Sequence, residues 1–339
     1  MKLTVENLTK KYGNFLALDG VSFECDHAEF FSVLGKSGSG KTTLIRIIAG
    51  LERPDGGRIL FDGKDVLRLP PHRRNAVMVF QNYALFPHLN VFENVAFGLR
   101  ERRLPEEDIR KTVVQTLTTL GIDDKLYRSV SELSGGQQQR VAIARAIAVN
   151  ADIVLFDEPL SNLDVTLRRE MQKELKSIQR TTRRNFIYIT HDQEEALMLS
   201  DRLAVLRDGK LFEQGTPEDI YHAPKTFFGA GFIGAANKLL MQRLDKTLLK
   251  TDTGLVLKNG EELVGKFFDV VIRPEHLVPV ERAGGENVFK ASVKERYFKG
   301  AFCEFVIDVE GAELVMQTPH AFGSEGFVQV KKFFIFPHE

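Results

Sequence analysis

The sequence predicts an α/β domain with a mostly parallel sheet over residues 1–235, followed by a small all-β barrel domain over 236–339. Three observations predict it. Strand-like apolar runs alternate with helical stretches through the first two thirds of the chain, the pattern of strands joined by crossover helices. A glycine-rich run, Gly35-Lys36-Ser37-Gly38-Ser39-Gly40-Lys41-Thr42, lies between one such strand and one such helix. Beyond about residue 235 the helical periodicity stops, and short apolar runs broken by Gly, Asn and Asp take over.

Taken in order, residues 3–8 alternate as a strand and 17–24 give a second. Residues 29–34 read as a buried strand entering the glycine-rich run, and 43–49 as the helix leaving it. Turns at Pro54-Asp55-Gly56-Gly57 and Asp62-Gly63 bracket a strand over 58–61. Residues 76–80 form another buried strand, ending at Gln81. Helices follow over 91–99, 106–120 and 136–149, a helical subdomain at about 88–149. The strand 151–156 ends on Asp157-Glu158-Pro159. Leu167, Met171, Leu175 and Ile178 then mark one face of a helix. A strand over 186–190 precedes a helix over 192–199, and 202–206 pairs with 211–214 across Asp208-Gly209. In the second domain the strand candidates are 239–240, 248–249, 255–257, 267–272, 288–293, 302–309, 314–317 and 327–336.

Bulk composition bounds the function. The 46 basic and 46 acidic residues balance, so no global attraction to nucleic acid or anionic lipid is implied. Cys25 and Cys303 lie far apart in apolar surroundings and read as buried thiols of a reducing compartment. No apolar run approaches the ~20 residues of a membrane span. Met1 leads straight into a strand without a signal peptide, so the expected location is the cytoplasm.

The glycine-rich run matches the phosphate-loop pattern. Glycines let backbone amides turn inward around phosphates, Lys41 reaches the terminal ones, and the Thr42 hydroxyl can hold Mg²⁺. Asp157 and Glu158 end a strand, where phosphate-loop ATPases keep one carboxylate beside Mg²⁺ and a second beside the attacking water. Gln81 and His191 also sit at strand ends, within reach of the metal, the water or the γ-phosphate. Leu133-Ser134-Gly135-Gly136-Gln137 is a second anion site: Ser134 caps a helix and two glycines bare its amides. One ATP does not need two cradles in one subunit. The economical solution is that this cradle closes on the ATP of another subunit.

Those five residues read as the signature of the ATP-binding-cassette (ABC) family, which the chain resembles over about its first 235 residues. The resemblance implies a RecA-like phosphate-loop core with a helical subdomain. It further implies that Tyr12 stacks on adenine, that Gly35, Ser37, Gly38, Ser39, Gly40, Lys41, Thr42 and Thr43 line the phosphates, and that Thr42, Gln81 and Asp157 lie near Mg²⁺. Glu158 resembles the general base and His191 the switch histidine. Ser134, Gly135, Gly136 and Gln137 resemble the grip on the nucleotide across the dimer, and Ser161-Asn162-Leu163-Asp164 the loop that signals between sites. Lys36 departs from the proline common at its position.

A cassette without membrane helices borrows them from other chains. Tyr83-Ala84-Leu85-Phe86-Pro87-His88 is expected either to receive a permease helix or to pack the helical subdomain. Val271-Ile272-Arg273-Pro274-Glu275-His276 resembles a motif of the small OB-like (TOBE-like) barrels appended to importer ATPases. From Asn237 onward 14 basic residues face 15 acidic ones, a poor footprint for nucleic acid. The implied partners are a second copy, two permease subunits and, through them, an extracytoplasmic binding protein, at the cytoplasmic face of the membrane. Residues 91–100, 231–234 and 294–300 resemble the ATPases of spermidine/putrescine uptake systems. Ferric-iron, sulfate and sugar uptake ATPases share most of the first two stretches. A non-transport cassette ATPase acting on ribosomes or DNA is the rival from another class.

Overall fold

The computed structural model describes residues 1–338, which divide into two compact units between Pro217 and Glu218. The first unit begins with β1 (Leu3–Tyr12), β2 (Phe15–Cys25), β3 (Phe30–Leu34), α1 (Lys41–Ala49), β4 (Gly56–Phe61), β5 (Lys64–Asp65) and β6 (Ala76–Val79). The helices α2 (Val91–Glu101), α3 (Glu106–Thr119) and α4 (Gly135–Ala148) follow. The chain then returns to the sheet with β7 (Ile153–Asp157), α5 (Val165–Thr182), β8 (Asn185–Thr190), α6 (Gln193–Leu199), β9 (Arg202–Arg207) and β10 (Lys210–Gly215).

A six-stranded sheet in the order β10-β9-β3-β8-β7-β6 is parallel except at the β10 edge, which pairs antiparallel with β9 as the Asp208-Gly209 turn requires. A smaller antiparallel sheet runs β2-β1-β4-β5. Strand alternation makes two cores from one sheet. Phe31, Ile153, Leu155, Ile187 and Ile189 pack with Leu44, Ile45 and Ile48 of α1 and with Leu3, Val5 and Ile59 of the smaller sheet. Their neighbours Phe30, Val154, Phe156, Phe186 and Tyr188 face the other way, against Val95, Val113, Ile143 and Met171 of the helices. Fully buried on both faces, β3, β7 and β8 read as continuous apolar runs for that reason.

The second unit holds α7 (Pro217–His222), which starts at the division, and α8 (Phe227–Phe232). Its strands are β11 (Asn237–Arg243), β12 (Leu248–Lys250), β13 (Val256–Lys258), β14 (Phe267–Ile272) and β15 (Leu277–Val280). They continue as β16 (Val288–Phe298), β17 (Cys303–Val309), β18 (Ala312–Thr318), β19 (Glu325–Val330) and β20 (Phe334–Pro337). Two antiparallel sheets, β13-β12-β11-β14-β20 and β15-β19-β16-β17-β18, close over one core of Met241, Leu257, Val270, Phe305, Ile307 and Met316. Asn237 ties them together: its side-chain amide donates to Ile272 O and Val315 O, and its oxygen accepts from Val315 N at 2.6 Å. This is the expected barrel.

Two expectations shift. Residues 218–235, assigned from the sequence to the first domain, fold with the second unit. The cause is Arg273, which is fully buried, donates to the carbonyls of Ile233, Ala235 and Tyr221, and sits 4.4 Å from the Tyr221 ring. The apolar run 327–336 is two strands, β19 and β20, split at Lys331-Lys332. Cys25 is a buried free thiol as expected, whereas Cys303 is half-buried. Among the described residues no helix is long and apolar enough to cross a membrane.

Candidate active site

The loop after β3 owes its shape to glycine. Gly40 has φ +104° and a Cβ there would lie 2.3 Å from Ala17 O, so no other residue fits. A Cβ at Gly35 would lie 2.4 Å from Leu206 O. Gly40 is the N-cap of α1 and offers no side-chain hydrogen bond, which leaves the amides of the first turn for a ligand. Ser39 Oγ is buried without a hydrogen-bond partner in the same loop. Orphaned amides and an orphaned hydroxyl at the positive end of a helix suit phosphate oxygens.

Lys41 is 4% exposed and donates from Nζ to Gly35 O at 2.8 Å and Lys36 O at 3.1 Å. Burial pulls its pKa below the ordinary lysine value, against the opposing pull of Glu158 and Asp157. Thr42 Oγ1 donates to Asp157 Oδ1 at 3.2 Å, and burial pushes the Asp157 carboxyl above the usual range. Glu158 bridges the centre: one carboxylate oxygen is 3.6 Å from Lys41 Nζ and the other 2.9 Å from His191 Nδ1. Its backbone is left-handed at φ +46°, an uncommon conformation for glutamate, and its amide donates to Ile189 O, two residues before His191. A cleft of about 360 Å³ opens over these groups, lined by Phe15, Ala17, Ser37, Gly38, Gly40, Lys41, Thr42, Thr43, Gln81 and Glu158.

Not every predicted residue joins that cleft. Tyr12 lies at the end of β1, half-exposed, with Lys10 Nζ 5.1 Å from its ring centre. The aromatic ring that lines the cleft is Phe15, opposite Tyr12 in the β1–β2 pairing, and 59% exposed. An exposed Phe beyond a hairpin turn carries no sequence signal of its own. Gln81 stands at the cleft rim, its amide 3.4 Å from Ser161 Oγ. Asp164 is the N-cap of α5, its carboxylate accepting from Thr166 N and Leu167 N at 3.0 Å.

Ser134 and Gln137 form a reciprocal capping box at the start of α4, with Gln137 Oε1 accepting from Ser134 N and Ser134 Oγ from Gln137 N. Gly135 is exposed, while Gly136 is buried against Leu167. A Cβ at Gly136 would lie 2.2 Å from Leu167 Cδ2, so this glycine serves packing. In the segment 83–88, Tyr83 is buried in the core and Phe86 packs on Phe97 at 4.6 Å between ring centres.

A glycine-shaped loop, a buried lysine and the strand-end carboxylate of Glu158 in one cleft, with Asp157 bonded to Thr42 of its lining, narrow the comparison with known proteins. Residues 18–161 match the family model described as ABC transporter, and residues 270–330 match that of the TOBE domain. The spermidine/putrescine import ATP-binding protein PotA of Bacteroides thetaiotaomicron is 43% identical over 338 residues, covering 98% of this chain and 72% of that protein. The chain belongs to the ABC transporter family. The PotA of Borreliella afzelii is 41% identical, over 93% of this chain and 91% of its own. Among solved structures, cbiO1 from Clostridium perfringens, part of the ABC transporter complex cbiONQ, superposes with TM-score 0.61 and 32% identity over 65% of this chain and 90% of its own. The dimeric structure of a bacterial ABC transporter cassette superposes with TM-score 0.58 and 31% identity, over 63% and 98%. That cassette has also been solved in a post-hydrolysis state bound to ADP and Pi.

Proposed function

We propose that this ABC transporter ATPase is the ATP-hydrolysing subunit of a polyamine importer, working as a pair of copies against separate permease subunits on the cytoplasmic side of a membrane. The observation behind the reading is that two glycine-bearing helix starts, at Gly40 and at Ser134, lie in one chain while Lys41, Glu158 and His191 converge on the first alone. The second is left to serve a partner copy, as the dimeric cassette relative suggests. The polyamine cargo and the import direction follow the names of the PotA relatives.

Groups of the first cradle hold the terminal phosphate and carry the proton transfer. The γ-phosphate of ATP exchanges with Gly35 O and Glu158 for the Lys41 ammonium, because an anion at the mouth of the loop is the stronger partner for a buried cation. That exchange releases the Glu158 oxygen held by Lys41 and leaves Glu158 to take a proton from the attacking water. His191 Nδ1, already 2.9 Å from Glu158, holds the carboxylate in place. The hard oxygen donors Thr42 Oγ1 and Asp157 Oδ1, with the Gln81 amide at the rim, fit Mg²⁺, which would supply charge neutralisation to the phosphates. Ser134–Gln137 of the partner copy would cover the same phosphates from the other side, and closure would pull on the permease.

The test is ATPase activity in membranes reconstituted with the permease. Stimulation by a binding protein loaded with spermidine or putrescine, and none by one loaded with ferric iron, sulfate or sugar, is the expected result. Stimulation by one of the other cargoes would overturn the polyamine assignment and leave the ATPase reading standing.

A further inference from the structure

Behind the hydrolytic pair lies a buried polar chain that the proposed chemistry does not use. Glu195 on α6 is 3% exposed, and one of its oxygens accepts from Thr190 Oγ1 at 2.7 Å and from Tyr188 OH at 2.9 Å. Burial pushes its carboxyl above the ordinary range, as expected of an acid whose nearest donors are neutral hydroxyls. The cation facing its other oxygen is Arg168, with Nε 3.9 Å away. That Nε is buried without a hydrogen-bond partner. The rest of the guanidinium is engaged: Nη2 donates to Leu163 O at 3.0 Å, and Nη1 lies 3.4 Å from Asp192 Oδ2. Thr190 Oγ1 also accepts from Asp192 N at 2.9 Å.

Leu163 precedes Asp164, and His191 stands between Thr190 and Asp192. The guanidinium therefore grips the loop 161–164 with one nitrogen and the residue after His191 with another, while Glu195 holds the residue before it. One contact in this chain is slack. A buried N–H without a partner carries a desolvation cost, and a movement of about 1 Å would bring Nε into hydrogen-bond range of Glu195.

We propose that Arg168 and Glu195 are positioning residues for ATP hydrolysis, a link through which displacement of the loop 161–164 sets the placement of His191 against Glu158. The role rests on reading Glu158 and His191 as the hydrolytic pair. Neither Arg168 nor Glu195 lines the phosphate cleft, so they act on the rate through His191 and not on nucleotide binding.

Steady-state ATPase rates of the full-length chain, with ATP affinity measured separately at equilibrium, test the link in wild type, Glu158→Gln, Arg168→Lys, Glu195→Gln and the Arg168→Lys/Glu195→Gln double variant. Glu195→Gln keeps an oxygen for Tyr188 and Thr190 but turns the oxygen facing Arg168 into an uncharged amide NH₂, a donor that Nε–H cannot pair with. Each single change should lower kcat about ten- to a hundredfold, the scale of a misplaced catalytic group. Affinity for ATP should hold within about twofold, and the double variant should be no slower than the slower single. Wild-type turnover in Glu195→Gln, affinity lost in step with rate, or losses that multiply in the double variant would each overturn the link. Should Arg168→Lys fail to fold, the rate and affinity of Glu195→Gln decide. Full turnover in Glu158→Gln would instead bring down the hydrolytic pair itself, and the link with it.

Discussion

The two helix starts proposed to bind phosphate in this chain are built on opposite plans. At Gly40 the start of α1 is sunk into the fold: Lys41 is buried, Thr42 is bonded to Asp157, and a Cβ on Gly40 would strike a backbone carbonyl. At Ser134 the start of α4 closes on itself through its capping box and leaves Gly135 at the surface, where a Cβ meets nothing nearer than Tyr83 OH at 3.9 Å. The first cradle holds its own lysine and acids. The second offers amides and a helix dipole and nothing to act with. A chain that carries one complete and one bare cradle is suited to pairing with a copy of itself.

Substitutions that treat the two cradles separately sharpen this contrast. The largest effect is expected at the complete one: Glu158→Gln should slow ATP hydrolysis roughly a thousandfold, within the usual range for a lost general base, while ATP still binds. Rapid-quench turnover beside equilibrium binding checks it, and unimpaired turnover would remove Glu158 from the role of base. At the bare cradle, Gly135→Asp should cost about a hundredfold in rate, because its added carboxylate would repel the phosphate that the amides are to hold. An acid in the first turn suits the helix itself, so the melting temperature should not fall. A drop in melting temperature that accounts for the lost activity would make Gly135 structural. Tyr12→Ala should weaken ATP binding about tenfold if its ring stacks on adenine. An unchanged affinity, with a loss in Phe15→Ala instead, would move that role to the ring that lines the cleft. The smallest effect is expected on stability: Ser134→Ala should cost about 1 kcal/mol through the lost cap, read by denaturant unfolding, apart from any loss of turnover at the shared pocket.

What could be read in the sequence follows the range over which each feature is determined. The glycine-rich loop, the helix cap at Ser134 and the buried strands β3, β7 and β8 are written in contiguous residues, so pattern alone located them. Features made by long-range packing were not visible. Arg273 is a charged residue in sequence and a buried clasp in the structure, which is why the boundary fell at 235 and not at 217. Strand β15 escaped because Pro279 argues against a central strand, yet β15 is a sheet edge, where proline is tolerated. At the site, the strand-end positions of Asp157, Glu158 and His191 were legible. Phe15 at the cleft and the Arg168–Glu195 pair behind it were not, since neither stands in a pattern that spacing marks.

The central claim, that each ATP is held between two copies, is tested most directly by sedimentation of Glu158→Gln with and without ATP. Trapped with unhydrolysed nucleotide, it should sediment as a dimer with ATP and as a monomer without. Adding Gly135→Asp should restore the monomer although ATP still binds at Lys41. A dimer that forms regardless of ATP and of Gly135, or a monomer saturated with ATP in the single variant, would contradict the shared pocket.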